Sequence, residues 1–220
     1  MKLIFISLFH IFIFNIFSVA SANETKQVNI WSDGTRMSGD IHYPTSYKNN
    51  DKFPAILMTQ GWGGTRNDLN KYFVPIFVNA GFIVLTFDYR GWEDSDSRLV
   101  IIDKQPTLDE NNEAFIRVKA IREVIDPIDQ TRDIISALDF LSGEPKVDKS
   151  KIGIWGTSYS GGHVIYVAGI DKRVSAIYSQ VSFQGIGLNN TFNLSRKRAI
   201  QKARGQIDPI PTGIDKVPNL

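Results

Sequence analysis

Residues 152–162 read Ile152-Gly153-Ile154-Trp155-Gly156-Thr157-Ser158-Tyr159-Ser160-Gly161-Gly162, a short apolar run that ends in a serine set among small residues. The run Ile152 to Trp155 has the character of a buried strand of a parallel sheet. The residues after it predict a sharp strand-to-helix turn that lifts one hydroxyl out at the strand's carboxyl end. So tight a turn needs small neighbours. Gly156 stands two before Ser158, and Ser160 occupies the place two after it where G-x-S-x-G has its second glycine, with Gly161 and Gly162 next.

An alcohol is a poor nucleophile near neutral pH, so such a site must supply a base for the proton and donors for the oxyanion that attack creates. At the amino end of a helix, Ser158 obtains part of this from the backbone. The N–H of Tyr159 is expected to point into the site, and the helix dipole adds partial positive charge there. The competing reading of the same residues is a plain strand-to-helix turn in some other α/β protein.

The 220 residues suit one domain with a full core, and a formal net charge of +2 makes no electrostatic case for nucleic acid. There is no cysteine, hence no disulfide and no thiolate metal site, and three scattered histidines do not make a metal cluster. Residues 1–22 differ from the rest: Met1-Lys2, an apolar run from Leu3 to Phe17 broken by Ser7, His10 and Asn15, and then Ala20-Ser21-Ala22. This pattern predicts a secretory signal peptide cleaved after Ala22, with a retained membrane anchor as the competing reading. The mature chain would start at Asn23, in the periplasm or outside the cell.

In chain order, Gln27 to Ile30 and Met37 to Tyr43 flank Asp33-Gly34 and predict a hairpin. Phe53 to Thr59 reads as a buried strand, ending in Gln60-Gly61-Trp62-Gly63-Gly64-Thr65. Leu69, Tyr72, Phe73, Ile76, Phe77 and Ala80 then mark one face of a helix that Pro75 should kink and Gly81 should stop. Phe82 to Phe87 is the next strand, followed by Asp88-Tyr89-Arg90-Gly91-Trp92. The pattern loosens from Glu93 to Ile125, with a short helix expected over 114–125. Asp126-Pro127 reads as a cap and first turn of a helix ending at Gly143. After the serine turn come a helix through Ala168 and a strand from Val174 to Val181. Alternation at this spacing specifies an α/β fold, a mostly parallel sheet with helices on both faces. Residues 182–220 read as an irregular tail or the start of a lid segment, in which Arg196-Lys197-Arg198 is expected on a solvated face.

Gly61-Trp62-Gly63-Gly64 lacks the third glycine of G-x-G-x-x-G, because Arg66 stands there, and no G-K-[ST] is present, so neither a dinucleotide nor a P-loop nucleotide is expected. The turn is better used as the second half of an oxyanion hole, the N–H of Trp62 facing that of Tyr159 at the carboxyl edge of the sheet.

The order hairpin, strand-Gln-Gly-Trp-Gly-Gly, strand-Asp-Tyr-Arg-Gly-Trp, strand-Gly-Thr-Ser-Tyr-Ser-Gly-Gly resembles the α/β-hydrolase fold over about residues 27–181. More narrowly it is similar to the serine hydrolases of the Xaa-Pro dipeptidyl-peptidase and cocaine-esterase group and to dienelactone-hydrolase-like enzymes. The resemblance implies Ser158 as nucleophile with Tyr159 and Trp62 as oxyanion donors, and Gly156, Ser160, Gly161 and Gly162 as the residues that shape the elbow. It puts Gln60-Gly61 where the family has His-Gly, and gives Asp88 and Arg90 a structural role in the loop after their strand.

In this fold the acid and the histidine follow the nucleophile in the chain. After Ser158 the only histidine is His163, and the only acids are Asp171, Asp208 and Asp215. Five residues along one helix, His163 lies about 7.5 Å away and rotated by roughly 140°, aimed away from the serine. His42 belongs to the hairpin. The chain is therefore expected to be truncated relative to the resemblance, with C-terminal strands missing. Two functions follow: a secreted serine hydrolase of ester or amide bonds whose base comes from sequence not present here, or an inactive hydrolase-fold remnant acting at most as a binding module. The expected partner is a small-molecule or peptide substrate, with no cofactor, no metal, no nucleic acid, and membrane contact only through an uncleaved leader.

Overall fold

A computed structural model describes residues 24–45, 51–103, 106–182 and 189–205, with 189–195 described by backbone alone. The leader expected at 1–22, with His10, and the acids Asp208 and Asp215 lie outside the described residues.

The chain opens with the antiparallel hairpin of β1 (Glu24–Ser32) and β2 (Thr35–Tyr43). Its turn residues Asp33 and Gly34 both have positive φ, 46° and 75°, which matches the right-handed twist of the strands it joins. Next come β3 (Phe53–Thr59), α1 (Arg66–Tyr72), α2 (Val74–Asn79) and β4 (Ile83–Phe87). The single kinked helix expected here is two helices. Pro75 has no N–H to donate back into the preceding turn, so α1 ends and α2 restarts at Phe73.

Between β4 and the next helix, β5 (Arg98–Ile101) and β6 (Val118–Ile121) form a separate two-stranded antiparallel ribbon. The short helix expected over 114–125 is absent. Ile116, Val118 and Ala120 alternate with Arg117 and Lys119 at a period of two, and that favours a strand once Arg98 to Ile101 is there to pair with. Helix α3 (Pro127–Gly143) starts as expected: the Asp126 carboxylate accepts from the N–H groups of Ile128 and Asp129, and Pro127 fills the first turn. Then follow β7 (Val147–Thr157), α4 (Tyr159–Ile170), β8 (Val174–Gln180) and α5 (Asn189–Ala203).

The main sheet has six strands in the order β1-β2-β4-β3-β7-β8, with β4, β3, β7 and β8 parallel and the hairpin antiparallel at one border. Successive residues of a strand face opposite sides, so the sheet builds two cores. Leu57, Leu85, Phe87, Ile152 and Ile154 pack on one side against Ile134, Leu138 and Leu141 of α3 and Val164 and Val167 of α4. On the other side Ile56, Met58, Val84 and Trp155 pack against Leu69 of α1 and Val74 and Val78 of α2.

Part of the tail expected to be irregular is helix α5. Arg196 and Lys197 are exposed, but Arg198 is buried and its Nε donates to Asp126 Oδ2 at 2.8 Å. The basic run is thus not simply a solvated face. The carboxylate that caps α3 needs a counter-charge once it is buried, and α5 delivers one. Lys202, one turn on, reaches Asp129 at 3.1 Å.

Candidate active site

Four strands bring their carboxyl ends to one edge of the sheet, and Ser158 stands at the end of β7 as the N-cap of α4. It has φ 53° and ψ −117°, a backbone conformation that a non-glycine residue holds only when its surroundings enforce it. The enforcement is visible. The Ser158 N–H donates to the carbonyl of Gln180 at the end of β8 at 2.8 Å, and its own carbonyl accepts from the Gly161 N–H at 3.0 Å. A Cβ on Gly156 would come within 2.5 Å of the Ser160 carbonyl oxygen, so the chain can turn back on itself only with glycine there. Gly161 is held close in the same way, by Ser179 and Ser182, while Gly162 is half-buried in α4. Ser158 itself is exposed.

The turn after β3 lies against this serine. A Cβ on Gly61 would approach the Ser158 Cβ and the Thr157 carbonyl oxygen to 3.1 Å each, and the Ser158 Oγ to 3.7 Å. The Trp62 and Tyr159 rings meet edge to face with centroids 5.0 Å apart. Trp62, Ser158 and Tyr159 are therefore gathered at one end of the sheet, from neighbouring strands. Tyr159 is the first residue of α4, so its N–H belongs to the positive end of that helix.

Two ties that the residue pattern does not announce hold the turn in place. Ser160 Oγ donates to the Gln60 carbonyl, and the Tyr89 hydroxyl lies 2.6 Å from Ser160 Oγ. A hydroxyl has one proton to give, so Tyr89 donates to Ser160 and Ser160 to Gln60. The serine in place of the second glycine thus links the elbow to the end of β3. The second tie is Asp88, fully buried at the end of β4. It accepts from the Arg66 backbone N–H at 2.8 Å and pairs with the Arg66 guanidinium, fixing where the Gly61–Thr65 turn becomes α1. Burial pushes the Asp88 carboxyl up, and the bonds from Arg66 oppose that. Arg66 also reaches Asp40 on β2. Arg90, given the same structural reading as Asp88, pairs with Asp133 of α3, whose carboxylate also takes the Ser32 hydroxyl at 2.8 Å.

Neither described histidine serves Ser158. His163 is buried between Tyr159 and α3, its Nε2 lies 3.2 Å from Gln130 Oε1, and burial lowers its pKa to about 4, so it is a neutral core residue at pH 7. His42 bonds to Thr25 and Asn70. Asp171 caps the far end of α4, about 20 Å from Ser158 along the helix, and is held by Arg173. Among the described residues, no group of three or more acids or histidines is placed to hold a metal ion.

Comparison with known proteins adds the lineage. Residues 33–187 match the model of the X-Pro dipeptidyl-peptidase (S15) family. An uncharacterized 31.7 kDa protein of the traX-finO intergenic region of Escherichia coli is 37% identical over 134 residues, which cover 61% of this chain and 39% of that protein. The quorum-quenching protein AidA of Acinetobacter baumannii is 32% identical over 152 residues, 69% of this chain and 42% of that one. Among solved structures, the α/β hydrolase GrgF from Penicillium sp. sh18 superposes with a TM-score of 0.59 at 20% identity, covering 83% of this chain and 56% of the other. The chain thus spans about two fifths of the length of the curated relatives it matches.

Proposed function

Because the chain belongs to the X-Pro dipeptidyl-peptidase (S15) family and has the fold of an α/β hydrolase, we propose that it carries the nucleophile half of a serine hydrolase acting on ester or amide bonds. The observation that carries this reading is the exposed Ser158, held at φ 53° with the Gly61 backbone pressed against it. Ser158 Oγ attacks the substrate carbonyl carbon, a C–O bond forms, and the hydroxyl proton passes to a base supplied by sequence beyond these residues. The N–H groups of Trp62 and Tyr159 hold the oxyanion, a contribution of about 3–4 kcal/mol for each such donor in related chemistry. Collapse expels the leaving group with a proton and leaves an acyl-Ser158 ester for water to cleave.

A second reading, an inactive binding module of the same fold, is favoured by one observation: both described histidines are engaged away from Ser158. A fluorophosphonate probe with intact-mass detection separates the two. Labelling that disappears in Ser158→Ala supports the hydrolase, and a folded chain that takes no label supports the binding module. The leader at 1–22 supports a secreted or periplasmic location. Amino-terminal sequencing of the exported product is expected to begin at Asn23, and an intact Met1 in the membrane fraction would contradict cleavage.

A further inference from the structure

The turn that carries Trp62 is poorly fixed by its own residues. Gly61, Gly63 and Gly64 are three of the five residues between Gln60 and Arg66, and glycine restricts the backbone least. Gly63 has φ 62°, and a bond from the Gly64 N–H to the Gly61 carbonyl at 3.3 Å closes the turn on itself. Where the Trp62 N–H points is therefore set by the two ends of the turn. One end is Gln60, whose carbonyl is held by Ser160. The other is Arg66. Thr65, the N-cap of α1, makes no side-chain bond to the helix, and the Asp88 carboxylate takes the Arg66 N–H in its place.

The Arg66 side chain is buried and turns its fork to three carboxylates from three segments. Nε donates to Asp40 Oδ2 of β2 at 3.0 Å, Nη1 to Asp88 Oδ2 just after β4, and Nη2 to Asp94 Oδ2 at 3.0 Å. One turn along α1, Asn70 Nδ2 donates to the same Asp40 oxygen at 2.7 Å, and the Thr86 hydroxyl of β4 donates to Asn70 Oδ1 at 2.7 Å. The polar face of α1 is thus fastened to β2 and β4. A planar guanidinium fixes direction as well as distance, which a single ammonium does not. The Asp94 arm ends at the surface, where that carboxylate is 69% exposed. We propose that Arg66 is a positioning residue for the oxyanion hole: it acts through the turn, holding the Trp62 N–H on the oxyanion that attack by Ser158 creates, and touches no substrate itself. The proposal rests on the reading of Ser158 as a nucleophile. A donor displaced in the transition state slows bond formation and leaves binding of the intact substrate alone.

The concentration dependence of fluorophosphonate labelling of the full 220-residue chain separates reversible binding from phosphonylation of Ser158. Arg66→Lys keeps a positive charge and the backbone N–H but not the fork. It should lower the phosphonylation rate constant about tenfold or more while the binding constant stays within about twofold of wild type, and Arg66→Met should lower the rate further. A residue that only stabilises the fold would move the urea midpoint and leave both constants of the folded chain in place. Should the buried substitutions prevent folding, Asp94→Ala removes the exposed arm alone and should give a smaller fall in the same rate constant. The proposal is overturned if folded Arg66→Lys, or Asp94→Ala where Arg66→Lys does not fold, phosphonylates at the wild-type rate. It is overturned too if the binding constant changes as much as the rate constant. In both cases a labelled wild type leaves the nucleophile reading standing. A wild-type chain that takes no label overturns the two together.

Discussion

The two borders of the main sheet are built from different chemistry. β1 shows Thr25, Lys26 and Gln27 to solvent, pairs Lys26 with Glu24 at 3.0 Å, and is pinned from behind where Ser32 donates to Asp133 of α3. β8, at the opposite border, has no charged residue and shows isoleucine and tyrosine to solvent on its two faces. The first border is mostly polar, apart from an exposed Trp31, and is tied to the layer beneath it; the second is tied to α4 where Ser179 donates to the Gly161 carbonyl but is apolar on its outer residues. The nucleophile candidate sits between the two, one strand in from the open side.

The largest expected effect lies on the closed border. Asp133→Ala removes the acceptor shared by Ser32 and Arg90 and leaves the buried guanidinium paired only with the exposed Asp33, so urea unfolding should show a loss of about 3–5 kcal/mol. A loss below about 1 kcal/mol would mean that this border is not pinned by α3. Next comes His163, on the helix that underlies β7 and β8. Its pKa is about 4 in the folded chain and close to 6.5 in the unfolded one, so below pH 6.5 the unfolded state takes up a proton that the folded state refuses. Stability from this group is therefore present above pH 6.5 and drains away as pH falls to 4, by about 3 kcal/mol. His163→Gln should flatten that slope relative to the wild type. Equal slopes in the two proteins would show that α4 is loose beside the open border.

Smaller again is Ser160→Ala, which takes the Ser160 hydroxyl from Tyr89 and from the Gln60 carbonyl and should cost about 1–3 kcal/mol. It should also slow fluorophosphonate labelling of Ser158, because the Gly61–Trp62 turn loses its tie to the elbow. Labelling at the wild-type rate would make the tie structural only. The smallest effect belongs to the open border. Tyr178→Lys should change stability by no more than about 0.5 kcal/mol, whereas Leu85→Lys on the fully buried β4 should unfold the chain. If Tyr178→Lys costs more than about 2 kcal/mol, that face of β8 is already covered and the contrast between the borders fails.

Where local pattern decides structure, the residues alone were enough. Phe53 to Thr59, the Asp126-Pro127 start of α3 and the elbow from Gly156 to Gly161 all fold as their spacing and composition imply. What stayed hidden depends on partners distant in the chain. β6 is a strand because Arg98 to Ile101 lies beside it, and Arg198 is buried because Asp126, seventy-two residues earlier, needs a cation. Ser160 read as a mild departure from G-x-S-x-G. Only the arrival of Gln60 and Tyr89 from other strands makes its hydroxyl a cross-link. The clamp of Asp88 on Arg66 was half visible, in that Asp88 was assigned to shaping a loop, but the loop it shapes is the one after β3 and not only its own.

Chemical rescue probes the site most directly. With p-nitrophenyl acetate as substrate and imidazole added as a diffusible base, acylation of Ser158 should rise in proportion to imidazole in the wild type and stay at background in Ser158→Ala, with the acyl group found on Ser158 by mass. A wild-type rate that imidazole moves no more than it moves the alanine variant would contradict the account, because the proposed nucleophile should lack only a proton acceptor.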